Sequence, residues 1–238
     1  MTTLSALAPD TMTLLGKAST ATITTQLFKL GLRNAYLAGL APANPAHSSI
    51  VGEAFTLRYI PAREDLDVLE VFDDYDHPQR KAVESTPPGA VLVVDCRGVT
   101  RAAAAGNILL TRLAKRGAAG FVCDGALRDM AGIAGLPFPV FSQGPAATTN
   151  LAVHHAVDMQ VPIGCAGVPV FPGDVIVADG DGVVCIPRHL ADQIAGPAAE
   201  QERMEDFITD RVAAGNPLRG NYPPDQTTRA EYLRTRQA

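Results

Sequence analysis

Between residues 51 and 60 apolar and polar positions alternate, with Phe55, Leu57 and Tyr59 on one side, and this period of two predicts a strand. Residues 90–95 (AVLVVD) and 120–124 (GFVCD) are apolar runs of strand length without alternation. Such runs suit strands buried on both faces. Between them the period lengthens to that of a helix, from about 105 to 116. Ile108, Leu109, Leu113 and Ala114 share one side of it, and Gly117 ends it. A tight turn, GALRD, then leads to a short strand at 139–142, which completes roughly a βαβ unit. Upstream, residues 22–31 predict a helix with Ser19 or Thr20 as N-cap. A short helix at 79–84 is stopped by Pro87-Pro88-Gly89. Residues 39–45 read as a loop, and 61–76 are acidic without a clear period. From 153 to 187, short Val-rich runs are broken by VPVFPGD and ADGDG, the punctuation of antiparallel or barrel-like strands. Residues 190–214 predict one helix or two, with a break at Gly196-Pro197. The proline-rich end, 216–238, predicts an arm lying over a surface of this subunit or of a neighbour. The pattern predicts one α/β domain over residues 1–238, with terminal helices added.

Composition narrows the function. The 238 residues carry a net charge of −5, which argues against a nucleic-acid binder. Aromatics are 5% and Trp is absent, so a platform that stacks bases or sugars is not expected. No apolar run reaches the ~18 residues of a membrane helix, and residues 1–15 lack the features of a signal peptide. Cys96, Cys123, Cys165 and Cys185 each follow or sit in an apolar run, with no CxxC pair and no zinc spacing. They read as separate thiols at or near the core, in a protein of the reducing cytoplasm.

The segment 106–129, GNILLTRLAKRGAAGFVCDGALRD, holds the candidate chemistry. A helix start at Gly106, Asn107, Ile108 and Leu109 presents amides without intrahelical acceptors, which suits a carboxylate or phosphate. Arg128 offers a planar fork to a carboxylate or to charge developing on an enolate. Asp129 offers hard oxygen to Mg²⁺ or Mn²⁺. Spacing alone leaves a plainer reading open, in which Asp129 caps a short helix and Arg128 makes a surface pair. His154 and His155 lie in or near a strand, so at most one faces any site. Asp174, Asp179 and Asp181 flank glycines and read as turn chemistry or as metal ligands. Arg63-Glu64-Asp65, Asp73-Asp74 and Glu53 read as a solvated acidic face or as carboxylates reaching a neighbouring subunit's metal.

The run GAAGFVCDGALRD, preceded by GNILLTRLAKRG, resembles the signature of the RraA-like family, and VPVFPGDVIVADGDGVVCIP is similar to its downstream PGD…D-x-DGVV block. The family includes class II 4-hydroxy-4-methyl-2-oxoglutarate/4-carboxy-4-hydroxy-2-oxoadipate aldolases and the regulator of ribonuclease E activity A. The likeness covers about residues 19–205. It implies a swivelling phosphohistidine-domain-like ββα sandwich, assembled as a homotrimer or hexamer with sites near subunit interfaces. It also implies that Gly106, Asn107, Ile108, Leu109 and Arg128 bind pyruvate and that Asp129 binds a divalent metal, Mg²⁺ or Mn²⁺. The implied activity is a metal-dependent lyase that cleaves a 4-hydroxy-2-oxo acid to pyruvate, with oxaloacetate decarboxylation as a chemical neighbour. A protein-binding regulator, or another metal-dependent 2-oxo or sugar-acid reaction such as dehydration, is the alternative. Neither nucleic acid nor membrane is an expected partner. One departure stands out: the aldolases carry an acid where this chain has Asn107, which keeps hydrogen bonding but removes a charge and leaves the general base unnamed.

Overall fold

The computed structural model describes residues 7–236. Helices α1 (Thr11–Leu15) and α2 (Thr20–Lys29) open the chain, and Ser19 caps α2 by accepting the Thr22 amide. Then come β1 (Ala41–Pro42), β2 (Ile50–Pro61), α3 (Pro78–Ser85), β3 (Val91–Asp95), β4 (Ala103–Ala105) and α4 (Asn107–Lys115). They are followed by β5 (Gly120–Cys123), β6 (Ala126–Leu127), α5 (Met130–Ala134), β7 (Val140–Ser142), β8 (His154–Met159) and β9 (Ile163–Cys165). The chain closes with β10 (Val168–Val170), β11 (Val175–Asp179), β12 (Gly182–Ile186), α6 (Arg188–Ala213) and α7 (Gln226–Thr235).

The main sheet has the order β1-β7-β5-β3-β2-β11-β12, with β8 also on β2. β7, β5, β3 and β2 run parallel, while β11, β12 and β8 add antiparallel, as the Val-rich punctuation of 153–187 predicts. The unbroken apolar runs are buried on both faces. Leu92, Val94, Phe121 and Cys123 pack toward α3 and α4, with Ala82, Val83, Leu110 and Leu113. Val91, Val93 and Val122 face the β9–β10 hairpin, with Ile163, Cys165, Val168 and Val170. A third cluster joins α1, α2 and α6 to Val175, Val177, Val184 and Ile186.

Two expectations need correction. The helix expected from about residue 105 starts at Asn107, because Ala103–Ala105 first forms β4, parallel to β6. The GALRD turn therefore contains a strand, Ala126–Leu127. Of the one helix or two open for 190–214, the structure has one, and α6 runs through Pro197 without a break. An interior proline costs ~3 kcal/mol, but Ala191, Ile194, Ala195, Ala198 and Ala199 are all buried on this helix. Gly196 also has no Cβ to clash with the proline ring. The proline-rich end carries α7, which folds back on this chain's own α6. Arg211 bonds Asn221 and Glu231, and the Tyr232 hydroxyl donates to Glu200 at 2.8 Å.

Candidate functional site

The two short parallel strands set the geometry. β4 and β6 pair Ala103 with Ala126 and Ala105 with Leu127, so their ends finish side by side. The Arg128 amide then donates to Ala105 O at 3.2 Å. The start of α4 and the Arg128-Asp129 pair thus become neighbours, although a helix and two strands separate them in sequence. Gly106, the N-cap, has extended φ and ψ of −132° and 179°, open to any residue. What glycine supplies there is room for the two side chains behind it. A Cβ would stand 2.6 Å from Asp129 Oδ2 and 3.2 Å from Arg128 Cγ and Nε.

Asp129 sits in the left-handed region, with φ of 62°. An L-residue pays roughly 1–2 kcal/mol there, least for Asn and Asp. This turn brings its carboxylate back over the helix start. Oδ2 accepts the Asn107 amide at 3.3 Å and lies 3.8 Å from Arg128 Nε. Both side chains are about half exposed. Asp129 is the N-cap residue of α5, but its side chain makes no capping bond.

A cavity of about 170 Å³ opens beside the pair. Gly106, Ile108, Leu109, Arg128 and Asp129 all line it. Asn107 is not part of the lining: its amide donates to Asp129 Oδ2, and its side chain turns elsewhere. Nδ2 fills the space that a Cβ on Gly132 would need, and Oδ1 accepts the Thr111 hydroxyl at 3.3 Å. Ala103 and Ala105 of β4 complete the near side, and Phe72, Gln79, Arg80 and Asn150 form the far wall. Sequence reasoning missed all four. Arg80 and Asn150 lie far apart in the chain and share no motif, and only the fold brings them together. The signal that marks them is structural: Arg80 Nε and Asn150 Nδ2 are buried without a hydrogen-bond partner.

Most of the other candidates have structural partners. Asp174 accepts the amides of Phe171 and Arg188 at 2.9 and 3.0 Å, and Asp179 holds the amide and hydroxyl of Thr20 at 2.7 and 2.8 Å. Asp181 donates its amide to Asp179, and Glu53 pairs with Arg188 at 2.9 Å. Arg63 pairs with Asp65, and Asp74 accepts the Asp76 amide. His155 pairs with Asp67 at 2.8 Å. His154 is fully buried against Tyr59, and burial, helped by the Arg97 charge, lowers its pKa to about 4. The four thiols are free and buried, and burial raises the pKa of Cys96, Cys165 and Cys185. No group of three or more His, Cys, Asp or Glu could hold a metal ion among the described residues. A divalent ion at Asp129 would meet one protein carboxylate. That suits Mg²⁺, which usually keeps several waters and takes one or two carboxylates plus substrate oxygens. Among the described residues no helix is long and apolar enough to cross a membrane.

Known proteins share this architecture. A protein of Halalkalibacterium halodurans named "Putative 4-hydroxy-4-methyl-2-oxoglutarate aldolase" is 36% identical over 174 residues, 71% of this chain and 76% of that one. The crystal structure of Streptomyces coelicolor RraAS2, described as an unusual member of the RNase ES inhibitor RraA protein family, is 29% identical with a TM-score of 0.75. The match covers 85% of this chain and 97% of that one. An uncharacterized protein from Pseudomonas syringae pv. tomato is 26% identical with a TM-score of 0.78, over 92% and 99% of the two chains. The family model described as Aldolase/RraA matches residues 20–185, the span that builds the sheet and both halves of the cavity wall, and the chain belongs to the RraA-like family.

Proposed function

We propose that the protein is a divalent-metal-dependent lyase that cleaves a 4-hydroxy-2-oxo acid to pyruvate. The observation that carries this reading is the packing of Arg128 and Asp129 onto the α4 start, so close that a Cβ at position 106 would displace the Asp129 carboxylate. The first-turn amides of α4, at the positive end of the helix dipole, hold the substrate carboxylate. The Arg128 guanidinium hydrogen-bonds the 2-oxo oxygen, where negative charge gathers as the C3–C4 bond breaks and the electron pair moves toward pyruvate enolate. Asp129 holds the ion, which when bound supplies Lewis acidity toward the 2-oxo group. A water held among these polar groups accepts the C4 hydroxyl proton as C4 leaves as a carbonyl, and returns a proton to C3 of the enolate to give pyruvate. The same stabilisation of enolate charge serves loss of CO₂ from oxaloacetate. The family likeness supports assembly into a trimer or hexamer in the cytoplasm, in which the exposed side chains of Leu69, Tyr75 and Ile108 are available for contact.

The test is pyruvate release from 4-hydroxy-2-oxo acids and oxaloacetate with Mg²⁺ or Mn²⁺, with and without EDTA, for wild type and Asp129→Asn. Activity that needs the metal and is lost in the variant is expected. Full turnover in excess EDTA sinks the reading. The likeness to RraAS2 favours a second reading, a protein-binding regulator. No turnover with either substrate, together with salt-sensitive binding to a ribonuclease, supports it instead.

A further inference from the structure

The α3 side of the cavity carries its own chemistry. Asn150 is 4% exposed and lines the cavity. Its Oδ1 accepts the Thr149 hydroxyl at 3.4 Å, while Nδ2 is buried with no partner. Arg80 lines the same wall. Its guanidinium carbon lies 4.8 Å from the Phe72 ring centre, and its Nε is buried with no partner. The third polar group there, Gln79, is already engaged, since Nε2 donates to Ala104 O at 2.7 Å. Two unsatisfied donors on different elements therefore share one cavity wall. Buried donors without acceptors are rare because each forfeits its hydration. A small turn of each side chain toward the cavity would let an acceptor on a ligand repair both.

Charge points the same way. The cavity holds two guanidiniums, Arg80 and Arg128, against one carboxylate, Asp129. The cavity is also small beside the ~300–1,000 Å³ of pockets for drug-sized ligands, so it fits an acid of a few carbons.

We propose that Arg80 and Asn150 form a second anion subsite, which binds the far carboxylate of a dicarboxylic 2-oxo acid while the α4 start holds the near one. This rests on the 2-oxo acid reading above and names the residues that select the substrate within it. The Arg80 fork and the Asn150 amide donate to the far carboxylate, and the Phe72 face fixes the guanidinium beneath it.

The test compares two unreactive acids of equal chain length, 2-oxoglutarate and 2-oxopentanoate, which differ only in the far carboxylate. Each is titrated calorimetrically into the full chain with Mg²⁺. Wild type should bind the diacid about tenfold tighter or more, the worth of hydrogen bonds to a charged group. Arg80→Met and Asn150→Leu should each cut that ratio below about threefold while 2-oxopentanoate binding stays unchanged. Arg80→Lys keeps the charge without the fork and should give an intermediate ratio, which guards against a variant that fails to fold. A wild-type ratio near one overturns the proposal. So does a ratio that survives both substitutions, or an equal loss for both acids. Absent turnover with the ratio intact removes the lyase reading alone. Turnover with a ratio near one removes the subsite alone.

Discussion

Substituting Gly106→Ala separates chemistry from stability. The new methyl would meet Asp129 Oδ2 at 2.6 Å, and ordinary contact begins at 3.4 Å, so the carboxylate must retreat by about 0.8 Å. Arg128, met at 3.2 Å at both Cγ and Nε, must shift by a few tenths of an ångström. Both side chains end in half-exposed groups, so the retreat displaces no core atom. The backbone at 106 is extended and accepts alanine without strain. Alanine also lowers the entropy of the unfolded chain, worth ~0.4–1 kcal/mol. That offsets the weakened bond from the Asn107 amide to Asp129, so unfolding free energy should change by less than ~1 kcal/mol. Activity should suffer far more. A misplacement of about 1 Å costs on the order of 10²-fold when it disturbs reacting groups. The assay is metal-dependent pyruvate release at saturating Mg²⁺, beside a urea unfolding curve on the same preparation. Activity within threefold of wild type would refute the reasoning. A loss of stability of several kcal/mol would refute it differently, by showing that Gly106 serves the fold.

Arg128→Lys should lower kcat by about 10²-fold despite the retained charge, because a single ammonium cannot reproduce the fork; wild-type kinetics would make Arg128 a surface partner. Asn107→Asp should leave retro-aldol turnover near the wild-type rate, because this side chain lies against Gly132 and Thr111 and not in the cavity; a rise of about tenfold or more would show that the new carboxylate reaches the reacting groups. His154 is held neutral by burial, with a folded pKa of about 4 against an ordinary 6.5. The unfolded chain therefore binds its proton first as pH falls. Stability is lost between about 6.5 and 4, by ~3 kcal/mol in all. Unfolding free energy measured against pH should flatten in that window in His154→Gln, and an unchanged slope would show that His154 is not the group responsible.

The parts of the fold legible in sequence are those whose periodicity is set by burial. Residues 90–95 and 120–124 read as doubly buried strands because sheet strands between two layers need no polar face. Gly117 was readable as a helix stop, and its φ of 83° shows why glycine stands there. Elements without such a signature were not legible. Three alanines at 103–105 carry no period, so β4 looks like the first turn of α4. Pro197 looks like a break because the buried alanines that hold α6 together score weakly as a hydrophobic face. The cavity divides the same way. Arg128 and Asp129 sit in one continuous motif, whereas Arg80 and Asn150 meet only through tertiary structure.

Strand β2 pairs with β11 over Ile50–Glu53 and with β8 over its second half, both on partners made much later in the chain. At ~5–20 residues per second of synthesis, Glu53 waits roughly 6–25 s for its partner Val175 to be translated. Throughout that interval the nascent chain exposes an unpaired edge beside Phe55, Leu57 and Tyr59, side chains that are buried in the finished protein. Holding that edge for late partners makes β2 a stretch for a chaperone of nascent chains to shield, and overproduction outpacing that shielding would favour inclusion bodies.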